Sequence, residues 1–235
     1  MRSLALIPLF LFLILSGCGP GANGLSSSTQ DDPQVRTPNP NPSAQTYFSS
    51  CESNDPEVHC IGLKVVSFEN QSGNPVLKES ETLKLIAEMN EVWKTCKVAF
   101  QLEKFQSLQP ESVGLPYSPD WKRDSDSIRA HFDEDNRFLI VAVGPWTNST
   151  IAVAQMPGNG PYGVLVSEKY AKNPYTVGHE LGHYQGLYHL RNKKNLMNSY
   201  IGPLTSGLGS AQCAIARRTN LRYWQKMLRG RGALL

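Results

Sequence analysis

Residues 179–189 read H-E-L-G-H-Y-Q-G-L-Y-H, and no other stretch of the 235-residue chain restricts its folding as tightly. On an α-helix, positions i and i+4 lie one turn apart on the same face, so His179 and His183 point the same way. Gly186 comes three residues after the second histidine. A glycine there can take positive φ, end the helix and turn the chain sharply. The turn brings His189 back towards the other two. Neutral imidazoles are good zinc ligands, and three of them leave a fourth, tetrahedral position open for water. Glu180, beside the first histidine, points towards that open position. The pattern predicts one Zn2+ held by His179, His183 and His189, with Glu180 as the general base that takes the proton of the zinc-activated water.

The start of the chain predicts export. Arg2 precedes an apolar run from Leu4 to Leu15, broken by Pro8. About twelve residues are too few to cross a hydrocarbon layer of roughly 30 Å as a helix, and they suit the core of a signal peptide. The run ends in Leu15-Ser16-Gly17-Cys18, which resembles the lipobox of bacterial lipoproteins. The resemblance implies cleavage after Gly17, a lipid on Cys18 and attachment to a membrane through its acyl chains. Gly19 replaces the aspartate that would resemble an inner-membrane retention signal. The expected location is therefore the cell envelope, at the outer membrane where the organism has two, with the folded part outside the cytoplasm. The plainer alternative is an ordinary secretory signal with an incidental cysteine.

Residues 18–46 are rich in Ser, Pro, Asn, Gly and Gln and nearly devoid of large apolar side chains. They cannot offset their ordering entropy by burial and read as a flexible tether. Residues 47–235 are left for one folded domain. Beyond Cys18 the cysteines are Cys51, Cys60, Cys96 and Cys213. An even number in an exported chain suggests two disulfides, with three pairings open. Cys51–Cys60, a short local loop, is favoured, which leaves Cys96–Cys213 by elimination. A net charge of +3 is too small to point to nucleic acid as a partner. The dense basic residues from Arg217 to Arg231 read as a solvated helix face.

Periodicity places the elements. Ile61 to Phe68 is a strand, and Glu79 to Thr95 is a helix with Leu85, Met89 and Val92 on one stripe. Val98 to Phe105 alternates as a half-buried strand. Residues 106–136, with Pro110, Pro116, Pro119 and many charges, read mostly as loop. Phe138 to Val143 is a strand buried on both faces. Thr150 to Gln155 and Gly163 to Ser167 are short strands. Asn173 caps the motif helix, with Pro174 at its first position and Val177, Leu181 and Tyr184 towards the sheet. A last helix, about Ser210 to Leu228, presents Ala214, Leu221, Trp224 and Leu228 on one side. The order is that of an α/β layered domain.

Asn195-Leu196-Met197-Asn198 places Met197 eight residues after His189. With the extended histidine motif, this resembles the metzincin clan of zinc peptidases and its Met-turn. The likeness covers about residues 58–228 and is sharp over 179–197. It implies a twisted, mostly parallel sheet with an antiparallel edge strand, a backing helix, an active-site helix and a C-terminal helix. It implies hydrolysis of peptide bonds in proteins or peptides, with Met197 as a soft floor beneath the metal. An extended substrate would add to the edge strand at 150–155. Residues 200–208 would wall a specificity pocket, and Tyr200 would act as oxyanion donor or extra ligand. Tyr200 comes three residues after Met197, whereas astacin-like and serralysin-like members have a tyrosine at two, so packing is the alternative. The domain is expected to be a monomer. Two rival readings are a non-catalytic zinc-containing binding lipoprotein, which Glu180 argues against, and a zinc hydrolase of a non-peptide bond. His59 and His131 lack metal spacing and read as ordinary histidines.

Overall fold

A computed structural model describes residues 45–46, 51, 55–146 and 148–229. The expected signal segment, Cys18 and nearly all of the tether lie outside them. The strands are β1 (Gln45–Thr46), β2 (His59–Phe68), β3 (Val98–Leu108), β4 (Phe138–Val143), β5 (Ala152–Val153), β6 (Val164–Ser167) and β7 (Leu228–Arg229). The helices are α1 (Glu79–Trp93), α2 (Trp121–Phe132), α3 (Pro174–Tyr184) and α4 (Ser210–Tyr223).

β4 is an unbroken apolar run, FLIVAV, because both faces of the sheet are covered there. β3, β2, β4 and β6 are parallel neighbours in that order. β5 closes one edge antiparallel to β6, and β1 closes the other antiparallel to β3. β7 pairs antiparallel with the first residues of β2. Ile61, Leu63 and Val65 face one side, where Leu85, Met89 and Trp93 of α1 and Val177, Leu181 and Tyr184 of α3 complete a single core. Val66, Phe68, Leu139 and Val141 face the other, against Ile128 and Phe132 of α2. The fold is thus a mostly parallel sheet with an antiparallel edge strand, covered by helices on both faces, in agreement with the expected class.

Several expectations need correction. Residues 106–136 are not mostly loop, since α2 lies within them. Asp120 caps it by accepting from the amides of Lys122 and Arg123 at 2.9 and 3.3 Å. Its apolar stripe is little more than Ile128 and Phe132, one turn apart and buried, which is too sparse to stand out among so many charges. The stripe on α1 is completed by buried Trp93, with Val92 only partly buried against it. The edge strand is shorter than 150–155, with only Ala152 and Val153 paired. The last helix ends at Tyr223, and Leu228 belongs to β7. Its buried face is Gln212, Ala216 and Asn220, while Leu221 is exposed. Polar residues can occupy that face because Gln212 pairs with Asn195 and Asn220 donates to Gln185. The sheet also begins at Gln45, two residues before the expected boundary, where backbone pairing needs no apolar side chain.

Candidate metal centre

α3 starts at a satisfied cap. The Asn173 side-chain oxygen accepts from the amides of Tyr175 and Thr176 at 2.9 and 3.1 Å, and Pro174 occupies the first turn. Fully buried Val177, Leu181 and Tyr184 seat the helix on the sheet. The opposite end is a Schellman turn. Leu187 N–H donates to Gly182 O at 3.0 Å and Gly186 N–H to His183 O at 2.9 Å. Gly186 has φ 79°, and a Cβ there would meet Thr219 Oγ1 at 2.8 Å, so both backbone and space require glycine.

The turn brings the three imidazoles together, with their ligand atoms all within 4.8 Å of one another. His179 Nδ1 lies 2.7 Å from Leu196 O, and His183 Nδ1 lies 2.8 Å from Leu187 O. A carbonyl only accepts, so each Nδ1 carries the hydrogen and each Nε2 keeps its lone pair. Those two Nε2 atoms stand 3.1 and 3.2 Å from His189 Nε2. Burial holds the His179 imidazole down to about pKa 4 and also lowers that of His183, which keeps both neutral. Neutral lone pairs that converge at this range repel unless a cation lies between them. The donor set therefore fits a zinc ion, and backbone carbonyls fix the ring orientations from behind.

Glu180 is on the same helix turn and almost wholly buried. Burial pushes its carboxyl up to about pKa 8, with the charge of Arg129 opposing. Arg129 itself is buried and donates to the carbonyls of Gly163 at 2.8 Å and Val153 at 3.3 Å, so it braces the edge strand next to the centre.

Met197 is fully buried and lies against Gly182, where any Cβ would collide with its sulfur. Gly182 was not singled out by sequence reasoning. Its only signal was a residue without a side chain one turn below the first ligand. The segment carrying Met197 is held by an amide pair, which sequence reasoning also missed. Asn195 Nδ2 donates to Gln212 Oε1 at 2.7 Å, and Gln212 Nε2 donates to Asn195 Oδ1 at 3.0 Å. The same Asn195 oxygen accepts from the Met197 amide at 2.9 Å. A second pair, Asn220 Nδ2 to Gln185 Oε1 at 2.9 Å, grips the turn after α3, and Trp224 Nε1 donates to Tyr184 O at 2.7 Å. Tyr200 stays apart, 73% exposed, with its ring over Gly202 and no side-chain hydrogen bond to a site residue among those described. His59 lies at the start of β2 and His131 on α2, both outside the cluster.

The disulfides are Cys51–Cys60 and Cys96–Cys213. The first closes a short loop at β2. The second spans a separation of 117 residues and ties the turn after α1 to α4.

Comparison with known proteins places these observations. The profile of the matrixin family matches residues 64–208. Among solved structures, metalloproteinase-II from Bacteroides fragilis is similar at 15% identity and a TM-score of 0.47. The match covers 77% of this chain and 58% of that one, so the chain spans less than two thirds of that structure's length. No curated protein matches the sequence.

Proposed function

The chain belongs to the matrixin family, zinc metallopeptidases of the metzincin clan, and from that premise we propose that it is an endopeptidase acting on extended segments of proteins or peptides. The observation that carries this reading is the convergence of three imidazoles, their ligand atoms within 4.8 Å of one another, with a buried carboxyl group on the same helix turn. His179, His183 and His189 would hold the metal. Bound zinc supplies a Lewis acid that makes water nucleophilic near neutral pH. With the charge of a bound dication beside it Glu180 would be a carboxylate, and it would receive the proton of the attacking water, whose oxygen bonds to the peptide carbonyl carbon. The carboxyl then delivers a proton to the departing amide nitrogen as the C–N bond breaks. β5 pairs only with β6 among the described strands, so its outer edge offers backbone groups to an extended substrate.

The experiment is metal analysis of the full chain together with cleavage of an unfolded protein. One zinc per chain and cleavage abolished by chelator are expected, and the absence of zinc would overturn the reading. Glu180→Ala should keep the metal and lose hydrolysis by a factor of about 10² or more. Retained turnover would remove Glu180 from the role of base.

The reading includes a place for the enzyme. Through Cys18 the domain is lipid-anchored to the cell envelope as a monomer. Cys18→Ser should move the protein from the membrane to the soluble fraction, and unchanged fractionation would refute the anchor.

A further inference from the structure

Charge is distributed unevenly along this chain. Residues 181–235 contain nine lysines and arginines and no aspartate or glutamate, so all 20 carboxylate side chains precede them. The modest net charge of +3 conceals this division. Several of the late cations are spent on structure. Arg217 donates to the carbonyls of Glu57 at 2.7 Å and Lys97 at 3.2 Å. Lys226 pairs with Asp135 at 2.6 Å, and Arg229 pairs with Glu103. Arg191, Lys193 and Lys194 differ. All three are exposed, and among the described residues no carboxylate pairs with them.

These three occupy a loop that the fold fastens firmly. Its base is closed by Leu190 N–H to Met197 O at 2.7 Å and by Asn198 Nδ2 to Leu190 O at 3.1 Å. Its tip is turned by Asn192, whose side chain accepts from the Lys194 amide at 3.0 Å. Lys194 O accepts from both the amide and the hydroxyl of Ser206, each at 3.0 Å. The loop follows directly from His189, the most exposed of the three ligands, so it stands where the centre meets solvent. Arg191 is two residues from His189, a backbone reach of roughly 7 Å. Tyr188, just before His189, is 75% exposed and adds apolar contact area next to the cationic loop.

Unpaired like charges held beside a cleft focus its field and raise the encounter rate with anions. We propose that the loop of Arg191, Lys193 and Lys194 is a specificity-determining wall that selects substrate segments carrying aspartate or glutamate near the scissile bond. This rests on the endopeptidase reading. An anionic membrane surface would match the same charges, but docking there would press His189 against the bilayer and shut the mouth that an extended peptide needs.

The test uses the full chain in detergent and two peptides of equal length, one with acidic residues flanking a single cleavable bond and one with the matching amides. The ratio of their kcat/KM values, acidic over amide, is expected at about tenfold in low salt. It should shrink as salt approaches about 1 M, where the screening length is roughly 3 Å. In the triple variant Arg191→Gln, Lys193→Gln, Lys194→Gln the ratio should fall towards one, and in the corresponding triple substitution to glutamate it should invert. Metal content and the thermal midpoint report whether each variant has folded. Equal cleavage of both peptides by the unaltered chain would overturn the proposal while leaving the endopeptidase reading intact. Cleavage of neither would sink that reading and the proposal with it. An unchanged ratio in the glutamine variant, with binding of the Cys18→Ser protein to phosphatidylserine vesicles lost, would reassign the loop to the membrane.

Discussion

The two interfaces that hold α3 are made of opposite materials. Along its length the helix lies on the sheet and on α1 through Val177, Leu181 and Tyr184, with Trp93 and Met89 filling the same core. At its C-terminal end, α4 grips the turn and the Met197 segment through the Gln185–Asn220 and Asn195–Gln212 amide pairs. Apolar packing is roughly proportional to buried area and has no preferred direction. Hydrogen bonds weaken steeply with angle and fix orientation. The first interface therefore sets how stable the domain is, and the second sets where the ligand atoms stand. The difference explains why a helix can bury amides in a fold whose core is otherwise aliphatic and aromatic.

The widest separation between the two should come from Trp93→Ala. Removing a fully buried indole is expected to cost about 3–5 kcal/mol in denaturant unfolding. Zinc affinity, measured well below the transition, should change by less than about threefold. A large loss of affinity at intact fold would erase the proposed division of labour. Asn195→Ala reverses the pattern. Leaving Gln212 and the Met197 amide without their buried partner should cost about 1–3 kcal/mol of stability. It should also lower zinc affinity by about 10- to 100-fold through the displaced Leu196 carbonyl, as competition with a chromophoric chelator would show.

The smallest effect concerns the middle of α4, where Arg217 reaches over to the residues just before β2 and β3. Burial, helped by the Arg217 charge, holds the His59 imidazole down to about pKa 4. The unfolded chain takes that proton near pH 6.5, so between about pH 6.5 and 4 the unfolded state binds more protons than the folded one. Stability then falls as pH falls through that window. In His59→Gln the slope across the window should flatten, and an unchanged slope would assign the acid sensitivity elsewhere.

The metal cluster was legible because its logic is local. An i, i+4 pair, a helix-ending glycine and a returning third histidine obey backbone geometry that one segment contains by itself. The parallel strands were legible for the same reason, since a run such as Phe138 to Val143 states its own burial. α2 was not, because Ile128 and Phe132 become meaningful only opposite Phe68 and Val141. The buried face of α4 was not either. Gln212 and Asn220 look like surface residues until their partners, distant in sequence, are in place. Gly182 was passed over because its role is to be empty where Met197 arrives.

The bond between Cys96 and Cys213 has a further consequence for a protein that belongs to a peptidase family. It turns the chain from β3 to α4 into one covalent ring that contains all three histidines, Glu180 and Met197. A single backbone cut anywhere inside that ring releases no fragment. The severed ends stay linked, at effective concentrations on the order of millimolar, and can re-dock on the sheet they came from. Shedding any part of the centre takes a second cut or a reductant, so the molecule is built to survive an isolated nick in its own exposed loops.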